Sequence, residues 1–262
     1  MKRAVLIFAA LLAAFSATAL PLSVSWLDGR VDVQKGTIWS PISIGDKVDS
    51  SATLRLGQGA LVELSGGGRR ISITVPGTYG LAAFYGAGLP GDKAGADLLQ
   101  KMGKLVETGV SSSQTSVAGV RGAAVEPSSD SVTWATDDTD SQAIMDEGRA
   151  LARDGKYDEA AAKFDQAGQA TQGAAKDSAQ YAEAWALSAG GSVARAVKLL
   201  RAMPASGTWA GPRTLLLARL DLDSGAGDEA KSILDAGLAS GLFAGDDATL
   251  AQSMLAEANQ GQ

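Results

Sequence analysis

The sequence predicts a two-domain chain, β then α: a small antiparallel β sandwich or roll with an inserted helix, followed by an α-solenoid of about three helix-pair repeats. Three observations predict it. Between about residues 23 and 134, short stretches mostly alternate apolar with polar residues and are punctuated by glycine clusters, the pattern of strands with one buried face. Around Ala160, Ala196 and Ala230, spaced 36 and then 34 residues apart, the same residue choices recur at fixed offsets. A repeat of that period marks stacked helix pairs. Finally, the acidic stretch Asp137-Asp138-Thr139-Asp140-Ser141 separates the two textures. The boundaries that follow are a signal peptide over 1–19, the β domain over 20–136, an acidic linker over 137–141 and the helical domain over 142–262.

The N-terminal segment reads as a leader. Lys2 and Arg3 precede an apolar stretch from Ala4 to Phe15, and Ala17-Thr18-Ala19 supplies an A-x-A cleavage site. The expected mature start is Leu20, and the expected location is periplasmic or secreted. A retained anchor is the competing reading, but Ala4 to Leu20 is 17 residues and runs into Pro21, short for about 30 Å of hydrocarbon. No stable membrane insertion is expected after cleavage, and without a cysteine there is no lipid-modified terminus.

In the β region, Val31-Asp32-Val33, Leu54-Arg55-Leu56, Leu61 to Leu64 and Ile71 to Val75 are the expected strands. Gly57-Gln58-Gly59 and Gly66-Gly67-Gly68 read as tight turns between successive antiparallel strands. Asp97 to Glu107, with Leu98, Leu99, Met102, Leu105 and Val106 at helical spacing, reads as an inserted helix lying on the β domain. The order Gly29-Arg30-Val31, Trp39-Ser40-Pro41-Ile42, Gly45-Asp46-Lys47-Val48, Ala52 to Leu56 and Pro76-Gly77-Thr78, with Gly119-Val120-Arg121-Gly122 further on, resembles the periplasmic domain of FecR-type proteins. In the family's namesake that domain relays a signal to a cytoplasmic sigma-factor regulator. The resemblance implies a periplasmic module here, and Arg121 is expected in a salt bridge or a fixed strand turn.

In the helical region Gly155, Gly191 and Gly225 precede each anchor alanine by five residues, and Phe164, Leu200 and Leu234 follow it by four. Twelve residues before stand Gly148, Ala184 and Ala218, all small. The run from Gly155 to Ala167, GKYDEAAAKFDQA, resembles a tetratricopeptide (TPR) repeat, and the likeness extends over roughly residues 141 to 245. Asp246 to Ala258 reads as a capping helix, with Asp246 or Asp247 at its N-cap.

Composition restricts the chemistry. The chain has no His and no Cys, which removes Ser-His-Asp triads, thiolate nucleophiles and the usual zinc sites. Losing Lys2 and Arg3 with the leader takes 23 basic residues to 21 against 29 acidic ones, a net of −8, which does not favour nucleic acid as a partner. Asp221, Asp223, Asp228 and Glu229 fail the spacing of a calcium loop and read as a solvated turn, as do Asp46 and Asp49. No catalytic residue, metal or cofactor is expected.

The sharpest site expectation concerns the first helix of each repeat, which the resemblance implies lines a groove. Arg149 and Arg153, like Tyr181 and Trp185, stand four apart and so share a helix face, and the third copy adds Arg219. Arginine and aromatic anchors favour a peptide or protein partner bearing a carboxylate. The other reading is that this surface packs on the β domain, with Tyr181 and Trp185 as interdomain core. The expected function is a non-enzymatic adaptor or scaffold of the bacterial envelope whose groove binds a protein. The alternatives are an accessory of a FecR-type sensing system and an envelope glycan-acting enzyme.

Overall fold

The computed structural model describes residues 21–86, 103–104, 106–107 and 136–260. The expected leader, Arg121 and most of the expected helix over 97–107 lie outside these residues. The architecture is β then α. Strands β1 (Pro21–Asp28), β2 (Val31–Lys35), β3 (Ile38–Pro41), β4 (Lys47–Asp49), β5 (Thr53–Leu56), β6 (Leu61–Gly66), β7 (Arg69–Ile73) and β8 (Gly77–Gly80) form two four-stranded antiparallel sheets. Their orders are β4-β1-β6-β7 and β3-β2-β5-β8. Leu22, Val24, Val31, Val33, Leu54, Val62, Leu64 and Ile71 close the core between them.

The two glycine clusters do different jobs. Gly67 and Gly68 have φ of 59° and 74° and join β6 to β7 with Gly66 paired to Arg69, as a two-residue hairpin with two left-handed residues requires. Residues 57–59 do not make the hairpin the sequence suggested: β5 and β6 belong to different sheets, so this turn carries the chain across the sandwich. Asp46 and Asp49 are turn residues, accepting from the Ser43 and Ser51 N–H groups at 2.8 Å.

Strand β6 departs from the expected alternation, since Leu61, Val62, Glu63 and Leu64 are buried in succession. The reason is tertiary. One face of β6 meets the sandwich core, and the other meets the helical domain. A register shift between Val24 and Trp26 in β1 pairs Trp26 with Glu63 on that second face.

The helical domain runs α2 (Thr136–Arg153), α3 (Tyr157–Gln169), α4 (Gly173–Ala189), α5 (Val193–Ala202), α6 (Ala210–Asp223), α7 (Gly227–Ala239) and α8 (Asp246–Gln260), with a short α1 (Ala82–Gly86) closing the sandwich end. Each repeat-defining column has a physical role. Gly155, Gly191 and Gly225 have φ of 75°, 81° and 78°. Each ends the first helix of a pair with the same two bonds: Gly155 to Ala152 O and Lys156 to Leu151 O, Gly191 to Ser188 O and Ser192 to Leu187 O, Gly225 to Leu222 O and Ala226 to Asp221 O. This is a Schellman cap, which needs a left-handed residue and therefore glycine. The anchors Ala160, Ala196 and Ala230 and the knobs Phe164, Leu200 and Leu234 are all fully buried. A Cβ on Gly148 would stand 2.6 Å from the Phe164 ring, so the small column is set by helix crossing.

Three expectations change. Residues 137–141, which also suit a helix N-terminus by their acidic side chains, lie within the first turns of α2, so the helix-start reading stands and the linker reading gives way. Asp221 is not solvated: it is 1% exposed and its carboxylate pairs with Arg201 at 3.2 Å. The described residues of the expected inserted helix do not lie on the sandwich. Gly103, Lys104, Val106 and Glu107 are helical, and Val106 belongs to the helical-domain core.

The domains are joined by a polar latch. Glu63 Oε1 accepts the Arg195 N–H at 3.1 Å, so a sandwich carboxylate caps the N-terminus of α5. Arg70 pairs with Asp158 at 3.1 Å and donates to Gly190 O at 2.9 Å and Ser192 Oγ at 2.6 Å. Ser72 Oγ donates to Gly191 O at 3.2 Å. Lys198 reaches Asp28 at 3.1 Å and lies 5.5 Å from the Trp26 ring centre. Burial pushes the Glu63 carboxyl up, against the opposing pull of the Arg195 N–H.

Candidate functional site

The site is built from α2, α3 and α4. The cap at Gly155 turns the chain back so that Tyr157, first residue of α3, meets Trp185 of α4 edge-on, ring centres 5.9 Å apart at 85°. Gly103, Lys104, Val106 and Glu107 lie beside this pair. Gly103 sits on the Trp185 indole, where a Cβ would fall 2.8 Å from the ring. Arg149 Nε donates to the Val106 carbonyl at 2.8 Å while its Nη1 pairs with Asp146 at 2.6 Å. Arg153 faces Glu107 at 3.7 Å, with both side chains largely exposed. Beside this contact lies a cavity of about 470 Å³ lined by Lys104, Glu107, Arg149, Arg153, Tyr157 and Trp185, with Ala152 in its wall.

Of the five residues expected to form a partner-binding surface, the structure brings three together and removes two. Arg149, Arg153 and Trp185 share the cavity. Tyr181 does not, being fully buried with its ring 4.8 Å from that of Trp209, because its position four residues before Trp185 falls where α4 meets α6. Arg219 does not either. It is 4% exposed, bonded to Asp223 one turn on and to Glu257 of α8 at 2.7 and 2.9 Å, and so fastens the closing helix to the third repeat. Tyr157, Lys104 and Glu107 were not foreseen. Tyr157 was legible in principle as the aromatic two residues after the capping glycine; the other two depend on where a distant segment lands.

This surface contacts Gly103, Val106 and Glu107 through donation from Arg149 to a backbone carbonyl, an aromatic platform at Trp185 and a peripheral charge pair at Arg153. Among the described residues, no group of three or more Asp or Glu could hold a metal ion, and no helix is long and apolar enough to cross a membrane. Comparison of the chain with protein-family models, with curated proteins and with solved structures finds no match in any of the three.

Proposed function

We propose that this chain is a non-enzymatic, exported adaptor, with a FecR-like sandwich and TPR-like repeats, that grips a segment of a protein partner in the cavity around Trp185. The observation that carries the reading is the way Gly103, Val106 and Glu107 already occupy one wall: a backbone carbonyl on Arg149, a glycine on an indole, an acid opposite Arg153. Each is a contact that a foreign peptide can make in the same style, and about 470 Å³ of adjoining space is of ligand size. Arg153, 62% exposed, is the anchor for a partner carboxylate. The latch sets the sandwich on α5 and, through Arg70, on Asp158 and Gly190 at the edge of this cavity, and no described sandwich residue lines the cavity itself.

The test is photo-crosslinking from position 185 in intact cells, followed by mass spectrometry of the adduct. A discrete foreign adduct that Arg153→Glu abolishes supports the reading. Adducts confined to residues 103–107 in every condition would overturn it, since the cavity would then serve only the chain's own segment.

A further inference from the structure

A second cleft, about 450 Å³, opens where the sandwich meets α6 and α7. Its helical wall is a stripe on α6: Arg213, Leu217 and Asp221, each four residues from the last, hence on one face and spanning about 12 Å of helix axis. The charges in this stripe are arranged unequally. At one end, Arg213 Nε is fixed by the Leu200 carbonyl at 2.6 Å, and no carboxylate among the described residues lies within ion-pair distance of its guanidinium. Burial lowers its pKa with no acid offsetting the shift. At the other end Asp221 is matched by Arg201, whereas Glu229 of α7 has no ion-pair partner among the described residues. Glu229 is close enough to add to the burial that pushes the Asp221 carboxyl up to about 6. The opposite wall is neutral and polar, with Gln58 and Thr74 from the sandwich; the buried Thr74 hydroxyl has no partner among the described residues.

Arg213 and Glu229 line one cleft, neither with an ion-pair partner among the described residues, and together they fit a ligand with opposite charges at its two ends. We infer that this interdomain cleft binds a short free peptide as a zwitterion, its carboxylate on Arg213 and its ammonium group at Glu229. Clefts at domain boundaries of this volume are the usual setting of small-ligand sites. The ligand touches both domains, so binding holds the sandwich on the repeats. This inference stands independently of the surface at Trp185, which lies on other helices.

Isothermal titration with Ala-Ala-Ala, its N-acetyl form and its C-terminal amide tests it on the intact mature protein. The expected result is saturable binding of the free peptide, weakened about tenfold or more by blocking either end, with amide resonances of Gly59 and Leu217 shifting on titration. Arg213→Gln should erase the discrimination against the amide and keep that against the acetyl form; Glu229→Gln should do the reverse. Glu229 is exposed in the first turn of α7, so its variant folds even where loss of the Arg213 bond to Leu200 does not permit the other. Absence of saturable binding by Ala-Ala-Ala, equal binding of all three peptides, or resonance shifts confined to residues around Trp185 would each overturn the inference.

Discussion

The helical repeats receive two visitors from the rest of the chain, and they receive them by different chemistry. Gly103, Lys104, Val106 and Glu107 settle on α2 and α4 chiefly through shape: Val106 enters the helical core and Gly103 lies flat on Trp185, with a backbone-directed bond from Arg149 and a loose, exposed Arg153–Glu107 pair at the rim. The sandwich settles on α5 and the turn before it through charge and hydrogen bonds, from Glu63, Arg70, Ser72 and Asp28. An apolar contact is indifferent to salt and pH, whereas a half-buried polar latch depends on both. The difference marks the latch as the adjustable junction and the 103–107 contact as part of the fold.

Breaking the apolar contact should have the largest effect. Val106→Asp places a charge where 3% of the side chain is exposed and should cost about 3 kcal/mol, read as a lower denaturant midpoint together with a red-shifted Trp185 emission. An unchanged midpoint would mean that 103–107 contributes nothing to the core. Arg70→Ala removes the pair with Asp158 and the bonds to Gly190 and Ser192 and should cost about 2 kcal/mol. Its cost should shrink in high salt, and the small-angle scattering radius should grow as the domains part. The Val106 variant should show neither behaviour.

A smaller effect carries a sign. Burial, helped by Asp165, pushes the Glu183 carboxyl of α4 up to about 7 from an ordinary value of 4.5. The folded state therefore binds this proton more tightly than the unfolded chain, and its contribution to stability falls as pH rises from about 4.5 to about 7. Glu183→Gln should raise stability by about 1–2 kcal/mol at about pH 8 and bring no gain at about pH 4, measured by urea unfolding at the two values. The smallest effect is a gain in the sandwich wall: Thr74→Val removes a buried hydroxyl with no partner among the described residues and should add up to about 1 kcal/mol. A loss instead would show that the hydroxyl is satisfied in solution.

Legibility followed the range of the interaction. Gly155, Gly191 and Gly225 announced themselves because a Schellman cap is a local device with an obligatory residue type, and the repeat spacing followed from it. Helical spacing put Arg149 with Arg153 on one helix face, and the tetratricopeptide resemblance implied that Trp185 shares their surface, as the cavity they line together now has it. Tyr181 and Arg219 obeyed the same spacing and still ended inside, because burial on α4 and α6 depends on which neighbouring helix covers that face. Asp221 read as a turn residue from its neighbours, and only the approach of Arg201 from α5 explains a buried carboxylate there.

By itself the sequence determined the elements and their order: strands where apolar residues alternate, helix pairs where glycine caps recur, β before α. Periodicity and capping are properties of a few consecutive residues, so they survive in one dimension. The tertiary structure alone decided that β6 is covered on both faces, that a sandwich glutamate caps a helix of the other domain, and that residues 103–107 lie on the repeats. Those are pairings between residues up to 132 positions apart. No local pattern encodes them, because each partner alone is an ordinary surface side chain until packing removes its water.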